Sequence, residues 1–270
     1  VDEMSMVDLF LLQSLLKAVM QGTRLVLVGD MDQLPSVGPG QVLHDLIKSC
    51  AFPAVILKKI FRQAGESDII INAHLINEGK SIPLDNKSRD FFFLERNDVN
   101  VIYKHLVQLV QDMLPRYVQA SPLDIQVLTP MKKGSLGVEA LNRILQRYLN
   151  PPGADKKEHS VGEEDLFREG DKVMQIKNNY DKEVFKGDIG VIEGVDMTDR
   201  LQTVDFDGRK IGYEASELDE LVHAYATTIH KAQGSEYSIV VMPVLMTHFV
   251  MLQRNLIYTG MTRAKKILVI

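Results

Sequence analysis

The sequence has few features that would place the protein outside the cell or in a membrane. It contains one cysteine, Cys50, in 270 residues. A single cysteine excludes a disulfide framework and a cysteine-based zinc site, and it is typical of a reducing compartment. No apolar run approaches the ~18 residues of a membrane-spanning helix, and no secretory signal peptide is recognisable. We therefore expect a cytoplasmic protein without a membrane partner.

Positive charge is not in excess. The chain carries 31 Lys and Arg against 36 Asp and Glu, which gives a formal net charge of −5. A generally basic surface is therefore absent, and any nucleic-acid binding must come from a local groove. The composition, 45% hydrophobic and 25% charged, is ordinary for a globular protein. The length allows one large domain or two of ordinary size.

The first 60 residues alternate between helical and strand patterns. Residues 7–21 are apolar at helical spacing, and residues 41–49 predict a second helix. Residues 24–28 form a short apolar run that predicts a buried parallel strand, and residues 54–57 are a similar run. This alternation predicts a doubly wound α/β sheet, which binds ligands at the carboxyl ends of its strands.

The remaining chain changes in texture twice. Up to residue 165 the pattern is again α/β, with helices predicted at 68–77, 99–114 and 136–148 and a strand at 124–130. Residues 166–216 are short β-rich pieces separated by Gly-Asp and Asp-Gly turns, which predicts a small all-β insert. The α/β pattern then returns, with strands predicted at 238–244 and 266–270 and a helix at 250–261.

Two early segments carry candidate catalytic residues. Asp2 and Glu3 are paired acids that can divide two tasks, one holding Mg²⁺ and the other activating a water. Acids at the first turn of a helix explain the pair equally simply. Gln33 follows the apolar run 24–28 and could reach a phosphate or a water from that sheet edge. The alternative is an ordinary turn that ends a strand.

Two arginines and one polar segment are further candidates. Arg62 and Arg263 could each supply a guanidinium to a developing phosphoryl charge, although surface or helix-end arginines are common. Residues 226–236 concentrate hydroxyl, amide, imidazole and ammonium groups before an apolar run. Such groups suit contacts with phosphate oxygens. His230 alone would more often be a structural partner than a ligand.

Seven segments, taken in order, resemble the conserved motifs of superfamily 1B helicases, most closely the RecD/TraA-type branch. The first four are Val1-Asp-Glu-Met-Ser-Met (motif II), Gly29-Asp-Met-Asp-Gln-Leu-Pro-Ser-Val-Gly-Pro-Gly40 (motif III), Ile60-Phe-Arg-Gln63 (motif IV) and Val127-Leu-Thr-Pro-Met-Lys-Lys-Gly-Ser-Leu-Gly137 (motif IVa). The others are Val184-Phe-Lys-Gly-Asp-Ile-Gly190 (start of the β insert), Thr228-Ile-His-Lys-Ala-Gln-Gly-Ser-Glu236 (motif V) and Tyr258-Thr-Gly-Met-Thr-Arg-Ala264 (motif VI). The resemblance covers nearly the whole chain.

The resemblance implies a role for each matching residue. On the ATP side Asp2 would hold Mg²⁺, Glu3 would activate the water, and Gln33 would sense the γ-phosphate. Arg62 and Arg263 would be arginine fingers. The resemblance also implies three nucleotide contacts and four DNA-backbone contacts. The nucleotide contacts are Phe61, Gly234 and Glu236, and the DNA contacts are Thr129, Lys132, Thr228 and His230.

The same resemblance implies a fold of two RecA-like parallel-sheet lobes, the first truncated and the second interrupted by a small all-β barrel. It divides the chain into the end of the first lobe (1–63), the start of the second lobe (64–165), the insert (166–216) and the remainder of the second lobe (217–270). No G-x-x-x-x-G-K-[ST] segment is present. We therefore expect a fragment that begins at motif II and alone hydrolyses ATP negligibly.

The function implied is the motor core of an ATP-dependent DNA helicase acting 5′-to-3′ on single-stranded DNA, in recombination, repair or conjugation, with ATP and Mg²⁺ as cofactors. An RNA-directed helicase remains open, because 2′-hydroxyl contacts are not visible in a sequence. A non-catalytic DNA-binding subunit of a helicase–nuclease assembly also remains open, with the nuclease in a partner subunit.

Overall fold

The structure, a computed structural model, describes residues 1–57, 67–154, 156–161, 165–196 and 201–270. Phe61 and Arg62, the two candidates in motif IV, lie outside the described residues. Their expected roles therefore stay predictions.

Seven α-helices lie in these described ranges. They are α1 (Leu9–Ala18), α2 (Val42–Ser49), α3 (Asp68–Asn77), α4 (Val99–Gln108), α5 (Leu114–Val118), α6 (Val138–Leu149) and α7 (Arg254–Met261). Asp8 and Asp98 cap α1 and α4 by accepting hydrogen bonds from backbone N–H groups of the first turn. A π-turn at Leu109–Met113 joins α4 to α5, so the helix predicted at 99–114 is present with one widened turn.

Twelve β-strands lie in the same ranges and form three sheets. In chain order they are β1 (Phe91–Phe92), β2 (Ile125–Thr129), β3 (Glu158–Val161), β4 (Asp165–Arg168), β5 (Lys172–Gln175), β6 (Ile189–Asp196), β7 (Leu201–Phe206), β8 (Arg209–Glu214), β9 (Leu221–His223), β10 (Ala226–Thr228), β11 (Tyr237–Val241) and β12 (Ala264–Val269). The five-stranded sheet β1-β12-β11-β2-β10 is parallel throughout. The sheet β8-β7-β6-β5-β9 is antiparallel, and β3 and β4 pair as a hairpin.

The parallel sheet is covered on both faces, and we call it with helices α3 to α7 the parallel-sheet lobe. Side chains alternate across each strand, so Val127 packs in one hydrophobic cluster and Leu128 in the other. The first cluster contains Leu141 and Leu145 of α6, and the second contains residues of α3 and α7. This arrangement confirms the predicted α/β fold with a parallel sheet.

The antiparallel sheet has its own hydrophobic cluster, which includes Phe206 and Tyr213. It therefore matches the prediction of a separate small β structure in this part of the chain. Its first and last strands, β5 and β9, are hydrogen-bonded neighbours. The chain consequently leaves the parallel-sheet lobe and returns to it at one place. The domain limits predicted at 63, 165 and 216 stay predictions.

A buried carboxylate stands where the antiparallel sheet joins the lobe. Asp171 has no exposed surface, and its two oxygens accept five hydrogen bonds. The donors are Gln146 Nε2 (2.6 Å), Asn150 Nδ2 (2.7 Å), Arg168 N (2.8 Å), Tyr225 OH (2.9 Å) and His223 Nε2 (3.2 Å). Burial raises the pKa of Asp171, but the hydrogen bonds and charge of His223 and the other donors outweigh it and lower the pKa overall.

The residues before α3 differ most from expectation, and we call residues 1–57 the N-terminal segment. The buried strand predicted at 24–28 is wrong: no strand forms there, and Val26 and Val28 are 67% and 52% exposed. Residues 54–57 are likewise exposed. The backbone of 26–28 bonds to Val1 and Met4 at 2.8–3.0 Å. A single extended neighbour among the described residues does not cover both faces of an apolar run.

In the described part of the chain, no helix combines the length and the apolar character required to cross a bilayer.

Candidate nucleotide cleft and DNA-facing surface

The acidic pair lies at the start of the N-terminal segment, beside residue 28. Met4 N–H donates to Val28 O at 3.0 Å, and the two backbones approach closely at Gly29. A Cβ on Gly29 would stand 2.9 Å from Met4 N and 3.0 Å from Leu43 Cδ2, so only glycine fits this approach. The close approach brings motif II and motif III side by side.

Glu3 itself occupies left-handed backbone, with φ 55° and ψ 39°. A non-glycine residue in left-handed backbone costs about 1 kcal/mol or more in steric strain. Such strain persists where the surrounding structure constrains the residue. Glu3 is half-buried, whereas Asp2 is exposed and accepts a hydrogen bond from Glu3 N–H at 2.8 Å. The two carboxylates therefore differ in surroundings, as a division of tasks requires.

The motif III loop is organised by Asp30. One oxygen, Oδ1, accepts from Asp32 N–H at 3.0 Å. The other, Oδ2, accepts from the Tyr258 hydroxyl at 2.8 Å and from Gln33 Nε2 at 3.4 Å. Tyr258 belongs to α7, so this carboxylate links the N-terminal segment to the parallel-sheet lobe.

Leu34 fixes the same loop to the lobe through its backbone and its side chain. Leu34 N–H donates to Thr259 Oγ1 at 2.8 Å, and Leu34 O accepts from Gln233 Nε2 at 2.7 Å. The side chain is 6% exposed and packs in the hydrophobic cluster of α3 and α7. The motif III loop of the N-terminal segment thus contacts motifs V and VI of the parallel-sheet lobe.

A cleft of about 480 Å³ lies at this junction. It is lined from one side by Ser5 and Gln33 and from the other by Arg254 and Asn255. Ser5 Oγ, Gln33 Oε1 and Asn255 Oδ1 are all buried without a hydrogen-bond partner. Buried polar atoms ordinarily find a partner, so three open acceptors in one cleft fit a polar ligand or bound water.

Arg263 is 5% exposed and is folded against the lobe. Its guanidinium donates to Thr259 O at 3.2 Å, to Ser235 O at 3.1 Å and to Thr262 Oγ1 at 3.2 Å. These three acceptors are uncharged. The positive charge therefore has only dipolar partners in these bonds, and an anion would bind it more strongly.

The end of motif V faces the N-terminal segment at Gly234. Its φ is +75°, which favours glycine, and the nearest atom to an added Cβ would be Met6 Sδ at 3.8 Å. Glu236 is exposed and pairs with Lys265 at 2.6 Å. Glu236 is accordingly accessible to a ligand that displaces an exposed ion pair of little energetic worth.

The DNA candidates of motif IVa divide into one buried and one exposed residue. Thr129 has no exposed surface, and its hydroxyl donates to Leu136 O at 2.6 Å. The structure therefore gives Thr129 a structural part, closing the motif IVa loop, and does not bring it to a surface that DNA could touch. Lys132 is 72% exposed and lies 3.8 Å from Glu139.

Motif V supplies a turn and a concentration of positive charge. Thr228 Oγ1 accepts from Lys231 N–H at 3.2 Å, and half-buried His230 follows it. Burial lowers the pKa of His230, which favours the neutral imidazole. Burial, followed by repulsion from Lys132 and Lys186, lowers the pKa of Lys231. Lys132 of motif IVa and Lys186 of the β5–β6 loop are therefore near enough to act on the charge of Lys231, and we call these three residues the lysine cluster.

Several of these residues were not foreseen from the sequence as site residues. Asp30 stands in the motif III stretch, but a turn cap explains an aspartate at that place. Tyr258 and Gln233 stand in motifs VI and V, but only the fold brings them to residues 30–34, more than 190 positions away. Lys132 is a predicted DNA contact and Lys186 belongs to the insert segment, but the sequence does not show that both lie near Lys231.

The described residues contain no cluster of three or more His, Cys, Asp or Glu side chains able to hold a metal by themselves. Mg²⁺ in nucleotide sites uses one or two carboxylates together with phosphate oxygens and water. Exposed Asp2, beside Glu3 and the cleft residue Ser5, fits that pattern. The donor set is thus suited to a metal that arrives with a nucleotide.

Three family models match parts of the chain. A model described as an AAA domain matches residues 1–92, one described as an ATP-dependent RecD-like DNA helicase SH3 domain matches residues 141–206, and one described as a UvrD-like helicase C-terminal domain matches residues 223–270. The second model includes most of α6, the hairpin of β3 and β4, and strands β5 to β7 of the antiparallel sheet. The third includes motifs V and VI.

Curated relatives match along almost the entire chain. The ATP-dependent RecD2 DNA helicase of Deinococcus radiodurans is 38% identical over 268 residues, covering 98% of this chain and 35% of that protein. The RecBCD enzyme subunit RecD of Mycolicibacterium smegmatis is 32% identical, covering 98% of this chain and 48% of that protein. The chain thus spans about a third to a half of the length of these relatives.

Solved structures with the same fold include two Pif1 helicases. One from Bacteroides, in complex with ADP-AlF3 and ssDNA, has a TM-score of 0.59 at 19% identity, covering 99% of this chain and 69% of that one. One from Candida albicans has a TM-score of 0.57 at 20% identity, covering 100% and 71%. These neighbours share the RecA-like helicase fold. The RecD-like and UvrD-like family models, together with the curated relatives that align over 98% of its length, show that the chain belongs to the RecD-like helicases of superfamily 1.

Proposed function

We propose that this chain is part of the motor core of an ATP-dependent DNA helicase or translocase. The contact of the motif III loop with motifs V and VI carries this proposal, because the candidate Gln33 lines the cleft at this contact and the candidates Gly234, Glu236 and Arg263 belong to the two motifs that the loop contacts. Hydrolysis in such a cleft changes how two bodies sit against each other, and a motor converts that change into movement along a strand. The family membership supports the same activity.

In this proposal the candidate residues of motifs II, IV and VI divide the work of phosphoryl transfer. Asp2 holds Mg²⁺, which neutralises charge on the phosphate oxygens when it is bound with ATP. Glu3 orients the attacking water and takes its proton. Arg263 exchanges its carbonyl partners for a phosphoryl oxygen, and Arg62 is proposed as the second arginine.

The DNA-binding part of the proposal rests on the lysine cluster. Lys132 and Lys186 repel the charge of Lys231, so a phosphate backbone bound beside Lys231 relieves the repulsion. Contacts of this kind are indifferent to sequence, which a translocating motor requires. The proposed polarity, 5′-to-3′, follows from the RecD/TraA-type resemblance, and we propose DNA recombination, repair or conjugation as the setting.

The decisive experiment compares ATP hydrolysis by this chain and by the full-length gene product, with and without single-stranded DNA. The chain lacks G-x-x-x-x-G-K-[ST], so we expect negligible turnover from it and DNA-stimulated turnover from the full-length product. In the full-length product, Glu3→Gln should bind ATP without turning it over. Duplexes with a 5′ or a 3′ overhang, and RNA in place of DNA, then test polarity and substrate class.

A second candidate is a subunit of a helicase–nuclease assembly. The 32% identity to a RecBCD enzyme subunit RecD favours it. Full-length product that binds DNA without hydrolysing ATP, and that hydrolyses it only with partner subunits, would support this candidate. DNA binding with no hydrolysis in either setting would demote every catalytic role proposed above.

A further inference from the structure

The two ends of the Gln33 carboxamide have different surroundings. Nε2 lies 3.4 Å from Asp30 Oδ2, whereas Oε1 is buried and has no hydrogen-bond partner. Gln33 lines the cleft at the junction between the N-terminal segment and the parallel-sheet lobe. The open hydrogen-bonding capacity of this side chain is therefore an acceptor.

The chemistry of Asp30 determines which way the amide points. An ionised carboxylate has acceptor sites only, so it attracts the NH₂ end of an amide and repels the oxygen end. The terminal torsion of a glutamine is broad and roughly two-fold, so an amide without such a neighbour can turn over at little cost. Asp30 is itself held in place, since its Oδ1 accepts from Asp32 N–H at 3.0 Å.

The same Asp30 oxygen is bound from the other side of the junction. Tyr258 of α7 is 4% exposed, and its hydroxyl donates to Asp30 Oδ2 at 2.8 Å. Burial, followed by the charge of Asp30, raises the pKa of this hydroxyl, so it remains a donor at any ordinary pH. The ring of Tyr258 is fixed in turn by an edge contact with His74, 5.7 Å between ring centroids.

We propose that Asp30 is a positioning residue that holds the Gln33 amide with its oxygen free to accept a hydrogen bond, and that Tyr258 makes this positioning depend on the parallel-sheet lobe. When the lobe is in contact, Tyr258 fixes Asp30 and Asp30 fixes Gln33. When the lobe moves away, Asp30 loses its best donor and the amide is free to turn. This inference rests on the proposed ATP hydrolysis and adds the atom by which Gln33 acts.

The activity test uses the full-length product and measures kcat and KM for ATP with saturating single-stranded DNA. Tyr258→Phe removes one oxygen, and we expect kcat to fall roughly tenfold, the scale of one hydrogen bond to a charged group, with KM within about twofold. Asp30→Ala should approach the loss seen in Gln33→Ala. When two residues act through one group, the effects of their substitutions on kcat are not additive. The kcat of the double variant Asp30→Ala/Gln33→Ala should therefore be no lower than that of Gln33→Ala alone.

Tyr225→Phe is the matched control. Tyr225 is also buried, and its hydroxyl also donates to an aspartate, Asp171, at 2.9 Å, but away from the cleft. Removing this hydroxyl should leave kcat unchanged. Equal losses in the two phenylalanine variants would mean general destabilisation and would overturn the proposal, as would additive losses in the double variant.

A second measurement follows the side-chain amide of Gln33 by ¹H–¹⁵N NMR in this chain, without nucleotide. Asp30→Ala and Tyr258→Phe should shift its resonances and speed its hydrogen exchange, whereas Tyr225→Phe should not. An unmoved amide overturns the positioning role whatever the activity. A moved amide in a protein whose full-length form never hydrolyses ATP would leave the positioning intact and refute the proposed function instead.

Discussion

Replacing Asp171 by alanine should strongly destabilise the junction between the antiparallel sheet and the parallel-sheet lobe. The change removes the acceptor of five hydrogen bonds at 2.6–3.2 Å. The backbone N–H of Arg168 and the side chains of Asn150 and Tyr225 are too buried to find water instead. Each unpaired buried donor costs about 1–3 kcal/mol.

Partial rearrangement and some water entry near Gln146 reduce the total, so we expect a loss of about 3–5 kcal/mol, the scale for breaking a buried charged network. Urea unfolding followed by far-UV circular dichroism measures it. The matched control is Asp219→Ala, because Asp219 is 64% exposed and pairs with Lys177 in an exposed ion pair. The control should lose less than about 1 kcal/mol.

The pH dependence gives an independent check on Asp171. Its pKa is lowered in the folded protein, so the stabilisation it provides is present above its unfolded pKa of 3.8 and is lost as the pH falls through the lower, folded value. The free energy of unfolding of the wild-type protein should therefore fall to that of Asp171→Ala only below about pH 4. A loss comparable to that of the control, or an advantage that disappears already at pH 6, would refute the network as described.

Three further predictions concern charge. The pKa of buried Lys172 is lowered by burial to about 8, so the folded state binds this proton more weakly than the unfolded chain does. The free energy of unfolding of the wild-type protein, measured by chemical denaturation, should therefore rise by about 2 kcal/mol between pH 8 and 10. Lys172→Met should not show this rise. Arg263→Ala in the full-length product should reduce DNA-stimulated turnover by about 10³ or more while DNA affinity changes less than about twofold; parallel losses of both would argue against a phosphate-directed role. Lys186→Ala and Lys231→Ala should each reduce the slope of log affinity for single-stranded DNA against log salt by about 0.7. Lys210→Ala, whose lysine is paired with Glu193, should leave the slope unchanged, and a slope insensitive to the first two variants would contradict the lysine cluster.

Local patterns predict the elements whose ends are marked in the sequence. The helix Asp68–Asn77 and the strand Leu201–Phe206 have the predicted bounds, because an acidic first turn and an Asp-Gly turn mark them. The strands β1, β9 and β10 were not foreseen. They have two or three residues each and are held by hydrogen bonds to longer neighbouring strands, β12, β5 and β2 respectively. The run at 24–28 fails for the converse reason: Leu27 packs against a small cluster of described residues, but Leu25, Val26 and Val28 stay exposed.

The candidate site also contains residues that short motifs indicate and residues that only the fold brings together. Glu3, Gln33 and Arg263 could be named from short motifs, because their chemistry is written in neighbouring residues. The partners that decide their orientation could not. Asp30 and Tyr258 are 228 positions apart, and spacing in a sequence carries no information about such a contact. Thr129 shows a different limit of prediction from motifs, because its motif position implies a DNA contact but its side chain is buried.

The pairing of β5 with β9 has a mechanical consequence. Any pull on the antiparallel sheet reaches the rest of the protein through two adjacent strands, in register at Val173↔His223 and Gln175↔Leu221. Such a stem resists stretching along the strands, where its hydrogen bonds are loaded together. A displacement of the antiparallel sheet is therefore transmitted to the parallel-sheet lobe through this stem and through the Asp171 network at its base.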